Sequence, residues 1–325
     1  MKKLIFSLAV LMLLTGCGNA KLQDGTEAVT MFNEGAINAE TLYDELKDKY
    51  GIEVLIDLID TDLLEREYDK TDAETAYIDN YVKSIKASVK QNKYDLEAYL
   101  SYYYGVKSVN ELKEYFRLSY RRQQFMSDYS KTVVKDKEIE TYYKDMTIGD
   151  ITLSWILIPV DATSEDTSDI KNKADAEALA TAKEVIKKLD AGEKFADMAK
   201  KYSKDKATAN NGGAVGKVNR GMIADNLIEE AIKLDVNKYS KKPIKTSEGY
   251  AILLVTAKDD KPEFNDTTKS SIRETIAAEM VKNDDGTLYL ESLEALRSKY
   301  SMTFKDSELS EDYTEYMNKQ KNSIG

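Results

Sequence analysis

Between Asn38 and about Met146 the apolar residues recur every three to four positions, the spacing that gathers them on one face of a helix. Leu42 and Leu46, then Val54, Leu55, Leu58, Ile59 and Leu63, form one such series, and Tyr77, Ile78, Tyr81, Val82, Ile85 and Val89 form another. Each series predicts an amphipathic helix. Gly105 is placed to close a helix, because glycine accepts the left-handed conformation found there. Ser108, with Glu111 three residues on, has the spacing of a capping box and opens the next helix, which carries Leu112, Tyr115, Phe116 and Leu118 inward. No proline interrupts this stretch. Upstream, Lys21 to about Gly35 is short and mixed, with Val29 to Phe32 as a strand candidate.

The pattern changes at Gly149. Ile151 to Val160 is apolar and β-branched and is stopped by Pro159 and a polar loop through Lys173, so it predicts a buried strand. From about Ala174 a helix carries Leu179, Val185, Ile186 and Leu189 and ends near Gly192; a second carries Phe195, Met198, Ala199 and Tyr202. Asn210 to Gly216 reads as a glycine-rich turn, Asn226 to Leu234 as a helix, and Tyr250 to Val255 as a second strand that follows Gly249. This β-α-α-turn-α-β order describes a compact α+β unit. A phosphate-binding loop is disfavoured, since no strand feeds the glycines and no Lys-Ser or Lys-Thr follows them. A further helical segment starts at about Phe264, and Ser310 to Gly325 is polar enough to predict fraying.

The N-terminus adds a destination. Lys2 and Lys3 precede an apolar or small run from Leu4 to Leu14, followed by Leu14-Thr15-Gly16-Cys17. A basic start, a run too short to stop in a bilayer and small residues before a cysteine are the marks of a signal peptide ending in a lipobox. Residues 1–16 are therefore expected to be removed and Cys17 to be lipidated, which tethers the folded part to the outer face of the cell membrane, in the extracytoplasmic space. No other stretch is apolar for long enough to cross a bilayer.

Composition then narrows the chemistry. The 325-residue chain has a net charge of −11 with 32% charged residues, which fits a soluble body and argues against nucleic acid as a partner. The single cysteine is assigned to lipid, so no intramolecular disulfide is available. There is no histidine. That count excludes a Ser-His-Asp triad, a Cys-His pair and any His-ligated metal site; no metal and no cofactor are expected.

Several motifs in fixed order then carry a resemblance. Gly192 to Ala199, Tyr202-Ser203-Lys204-Asp205, Gly212-Gly213-Ala214-Val215-Gly216 and Pro243 to Tyr250 are similar to the successive signatures of a parvulin-type peptidyl-prolyl isomerase domain. The flanks, including Asp136-x-x-Ile139-x-x-Tyr142-Tyr143, match the layout of the PrsA-type foldase lipoproteins of Gram-positive bacteria. The resemblance implies an α+β fold in which a parvulin-like domain (149–260) is inserted between an N-terminal helical segment (17–148) and a C-terminal one (261–325) that together form one chaperone-like lobe. It implies unfolded secreted polypeptides as partners, the membrane through a lipid anchor, and leaves a homodimer open.

The resemblance also implies site residues, and here the chain departs from the family. The histidines expected on the first and last strands stand as Trp155 and Ala251, next to Ser154 and Tyr250 respectively. Ser203 and Asp205 keep family positions. An aromatic pair is replaced by Lys217 and Val218, a pocket phenylalanine by Leu227, and the pocket methionine is matched by Met222, with Ile223 as the alternative one place on. Trp155 reads either as a strand residue filling the old histidine position or as a stacking platform for a client peptide. Tyr99, Tyr102, Tyr103, Tyr104, Tyr115 and Tyr120 read as helix-packing surface or as a cradle for unfolded chains. The expected function is that of a foldase with weak or absent isomerase activity; a fully active isomerase and a transporter's solute-binding lipoprotein are the alternatives.

Overall fold

The computed structural model describes residues 27–32, 35–163 and 165–324; Cys17 and the signal-peptide segment lie outside them. The chain divides into two compact units. One is discontinuous, running to Thr132 and resuming at Ala278, and the other is Val133–Ala277.

The discontinuous unit begins with two short antiparallel strands, β1 (Ala28–Phe32) and β2 (Gly35–Asn38). Four helices follow: α1 (Ala39–Glu67), α2 (Asp72–Gln91), α3 (Leu96–Tyr104) and α4 (Val109–Val133). After the return of the chain come α10 (Thr287–Lys299) and α11 (Ser307–Asn322). Gly105 caps α3 at φ +68°, and the Ser108 hydroxyl accepts from the Glu111 amide, as their types predict. Ile78, Val82, Ile85 and Val89 of α2 pack against Leu100, Leu112 and Phe116. Tyr81 and Tyr115 stay exposed, because an amphipathic ring at the edge of a helical stripe keeps its hydroxyl in water.

Two expectations are corrected here. In α1 the buried residues are Ile56, Asp60, Leu63 and Leu64, whereas Leu42, Leu46, Val54 and Leu58 of the predicted stripe are exposed. The predicted fraying after Leu309 is replaced by α11, whose N-cap Asp306 accepts from the Glu308 and Leu309 amides and whose Met317 is buried.

Burial in α1 is organised around a charge. Asp60 is fully buried and joins three helices: it accepts from Arg297 of α10 (Nε 2.9 Å, Nη2 2.8 Å) and from Arg122 of α4 (Nε 2.9 Å, Nη2 2.6 Å). A carboxylate has room for such a fork, and the bidentate geometry is what offsets the desolvation of the ions. Leu63 and Leu64 pack beside it against Leu293 and Leu296.

The continuous unit holds α5 (Asp136–Met146), β3 (Ile151–Pro159), α6 (Ser168–Asp190), α7 (Phe195–Tyr202), a 3-10 turn at 209–211, β4 (Ala214–Val218), α8 (Asp225–Lys233), β5 (Lys238–Tyr239), β6 (Ile244–Lys245), β7 (Gly249–Lys258) and most of α9 (Asp266–Lys282). The sheet is antiparallel in the order β4-β3-β7-β5, with β6 also paired to β7. The glycine-rich segment is thus partly a strand, and α6 starts well before Ala174, because the Thr167 side chain caps it by accepting from the Ile170 amide. Strand alternation splits the core in two. Ile156, Ile158, Tyr250 and Ile252 face α6 and α7, while Leu153, Ala251, Leu253 and Val255 face α8. Tyr143 of α5 donates to the Pro262 carbonyl (2.7 Å) and its ring packs at a tilt against Phe264, which holds the entry and exit of this unit together.

Candidate functional site: a parvulin face without histidine

The α8 side of the sheet gathers most of the predicted site. Trp155 and Leu157 from β3, Ala251 and Leu253 from β7, Leu227 and Ile228 from α8, and Ile223 from the preceding turn form one apolar cluster. The order of β3 and β7 in the sheet makes this possible: Trp155 pairs with Leu253, and Leu157 with Ala251.

The double glycine brings in the polar half. The Gly213 carbonyl accepts from the Trp155 amide (2.8 Å), and Gly213 approaches so closely that a Cβ there would lie 2.2 Å from the Trp155 carbonyl oxygen. Gly213 also sits at φ +82°, where other residues are strained. This contact fixes the segment leading out of α7 beside the strand, so that the Trp155 indole Nε1 donates to Asp205 Oδ2 (2.6 Å) and to Thr208 Oγ1 (3.1 Å). Thr208 in turn donates to Asp205 Oδ2 (2.5 Å), and the Ala207 amide donates to Oδ1 (3.0 Å). Burial pushes the Asp205 carboxyl upward, but the bonds from Thr208, Trp155 and Ala207 outweigh it and hold the group below the ordinary carboxylate range. Ser203 is buried, and its hydroxyl accepts from the Leu157 amide (3.1 Å).

The other candidates lie elsewhere. Tyr250 faces α6, where its hydroxyl donates to Asp175 (2.9 Å), and strand alternation turns Ser154 to that same side. Met222 is 65% exposed, while Ile223 packs in the cluster, so the position one place on is the one that lines the apolar face. Lys217 points to solvent and pairs with Asp259 (2.6 Å), and Val218 is buried. Thr208 was not legible as a site residue, although its place three residues after Asp205 is the spacing at which a hydroxyl and a carboxylate meet in a turn.

The site therefore offers an apolar floor and a carboxylate each of whose oxygens already accepts from the protein, Oδ2 from Trp155 and Thr208 and Oδ1 from Ala207. It has no donor that titrates near neutral pH. Isomerisation needs only that a prolyl amide be held and twisted over a barrier of ~18–20 kcal/mol, with no covalent step. An apolar face serves the first requirement, and polar groups aimed at the twisted amide serve the second.

The Trp155–Asp205 bond has a pH signature. A carboxyl with a lowered folded pKa adds stability above its unfolded value of about 4 and loses it as the pH falls through the folded value. The stability gap between wild type and Trp155→Phe should therefore be widest at neutral pH and narrow in acid, read by denaturant unfolding at each pH. A gap of constant size would mean that the ring's packing, and not its N–H, is what the variant lost.

Fold and site together define a parvulin-type isomerase domain, and residues 156–257 match the family model of the PPIC-type PPIase (rotamase) domain. The whole chain is 34% identical to the foldase protein PrsA of Geobacillus kaustophilus over 98% of its length and 100% of that protein's, and 31% identical to the PrsA of Geobacillus sp. strain WCH70 over 81% and 82% respectively. The crystal structure of PrsA from Streptococcus pneumoniae, 20% identical, superposes with a TM-score of 0.56 over 89% of this chain and 99% of that one, which shows a shared fold. The chain belongs to the PrsA foldase family.

Proposed function

We propose that the chain is a membrane-anchored extracytoplasmic foldase that binds secreted, unfolded polypeptides, with a parvulin unit whose isomerase activity is weak or absent. The family supports the foldase role. The observation that carries the finer reading is the bond from the Trp155 indole to Asp205: it fills one histidine position with a group that cannot exchange a proton, while Ala251 leaves the other without a polar atom. Misplacing a positioned site can cost a rate about 100-fold, and the loss of both positioned side chains here leaves an apolar binding face behind.

The test pairs a proline-peptide isomerisation assay with suppression of aggregation of an unfolded client. Wild type should delay aggregation and isomerise slowly; a rate equal to that of a histidine-containing parvulin would refute the weak-enzyme reading. Trp155→His should raise the rate in the presence of a retained fold. Ala251→His is riskier, because Ala251 is buried opposite Leu157 and Ile244, and overfilling such a site costs about 1–3 kcal/mol. Circular dichroism of each variant therefore accompanies its rate.

The anchor rests on the lipobox, and no described helix is long and apolar enough to cross a membrane. Cys17→Ser should move the protein from the membrane fraction to the soluble or uncleaved pool. Retention of lipid label by that variant would remove the case for Cys17.

A further inference from the structure

The exposed stripe on α1 is not scattered. Tyr43, Leu46, Tyr50, Val54 and Leu58 lie at helical spacing, are each 49% to 63% exposed, and with Leu55 of α1 and Leu309 of α11 line a groove of about 510 Å³. α11 passes close to α1 at Gly51, where a Cβ would stand in ordinary contact, 3.4 Å, with Leu309. α1 buries Ile56, Asp60, Leu63 and Leu64 in its second half, whereas this stripe of large apolar side chains is left together in water, and a contiguous exposed apolar patch marks a surface that binds something. From Tyr43 to Leu58 the helix rises roughly 22 Å, the reach of about seven residues of extended chain.

The charge around the groove selects among occupants. α1 carries ten acidic residues and only three basic ones. Each of the three is already in an ion pair: Lys47 with Asp306 (2.9 Å) and Glu308, Lys49 with Glu45, and Arg66 with Asp62. Asp44, Asp48 and Glu53 are exposed and form no ion pair among the described residues. The other wall begins with Asp306, Glu308, Glu311 and Asp312. Such a rim repels an anionic lipid surface, and a second copy of this chain would bring two acidic rims face to face across a two-fold axis.

We infer that this groove takes extended segments of unfolded polypeptide in which apolar residues are flanked by lysine or arginine. On the foldase reading above, it is the client-binding surface. The apolar side chains seat in the groove and the flanking cations meet the unpaired carboxylates of its rim, so the selectivity weakens as salt screens them.

The full chain is titrated with two fluorescent peptides that share one apolar core, one flanked by lysines and one by glutamates, and binding is read by anisotropy. The lysine-flanked peptide should bind roughly tenfold tighter at low salt, as two or three rim contacts of modest size would give. Leu46→Ser with Tyr50→Ser should abolish that binding, and Asp44→Lys with Glu53→Lys should remove or invert the preference. All four positions are exposed, and circular dichroism confirms that each variant keeps its helices. Equal affinity for the two peptides, or an unchanged preference in the charge-reversed variant, overturns the inference. So does a wild-type dimer in sedimentation that becomes monomeric in the serine variant, because the face would then be covered by a second copy. Aggregation suppression separates this from the reading beneath it. Suppression by wild type that the serine variant retains in full sinks the groove but leaves the foldase standing, whereas no suppression by wild type sinks both.

Discussion

In an Asp60→Ala variant the discontinuous helical unit should lose about 3–5 kcal/mol of unfolding free energy, the size seen when one partner of a buried ion cluster is removed. The cause is what remains. Arg297 is almost fully buried, and its guanidinium is held above its ordinary range because the bonds from Asp60 overcome the opposing effect of burial. It cannot escape by losing its proton, and Tyr313, which it reaches at 3.2 Å, carries no charge to offset it. Arg122 would keep only Asp57, at the exposed end of its fork. Urea unfolding can tell the two units apart by comparison: far-UV ellipticity sums the helices of both, with α1–α4, α10 and α11 the larger share, while Trp155, the sole tryptophan, reports from the sheet unit alone. The ellipticity midpoint should fall and the fluorescence midpoint should hold. An unchanged ellipticity midpoint would mean that the cluster is neutral and that the leucines around it hold α1, α4 and α10 together.

The sheet unit should respond in the same way to Gly213→Ala, at about 2–4 kcal/mol. One part is conformational, since φ +82° is strained for alanine, and the other is contact, since the new methyl would meet the Trp155 carbonyl at 2.2 Å and Ala199 Cβ at 3.1 Å. The strand cannot easily retreat, because the Trp155 amide is bonded to the Gly213 carbonyl. Gly216→Ala is the matched control: it sits at φ +97° with nothing within 4 Å of the added methyl. The Gly213 variant should lose clearly more stability than the Gly216 variant, with Trp155 fluorescence as the readout. Equal losses would assign the whole effect to backbone strain and none to the close approach.

The helices of both units and the two long strands were legible because periodicity reports burial directly: β3 alternates between its two cores, and α2 buries Ile78, Val82, Ile85 and Val89 as spaced. α1 shows where that reasoning stops. A stripe of leucines and tyrosines says that a face is apolar, but not whether the protein itself covers it; the inward face is instead set by Asp60, which reads in sequence as one more solvated acid. The same limit applies to the site. Trp155, Asp205 and Leu227 were placed together by motif order, yet their bonding depends on Thr208 and on how closely Gly213 approaches the strand, and neither has a periodic signal. Met222 and Ile223 differ by one place in a turn, which no pattern resolves. The short strands β5 and β6 were missed because two-residue pairings leave no alternation to detect.

The Asp60–Arg297 bond also orders events in time. The partners are 237 residues apart, and the whole sheet unit lies between them. A chain made from its N-terminus at ~5–20 residues per second would expose Asp60 roughly 10–50 s before Arg297 exists to meet it. During that interval α2, α3 and α4 can close their own core but the inner face of α1 lacks Leu293, Leu296 and Arg297, whereas Val133–Ala277 is contiguous and has all of its partners as soon as it emerges. The inserted unit is then the first to be complete, and a molecule truncated just before α10 would carry a finished sheet and an α2–α4 core beside an α1 whose Asp60, Leu63 and Leu64 lack their α10 partners.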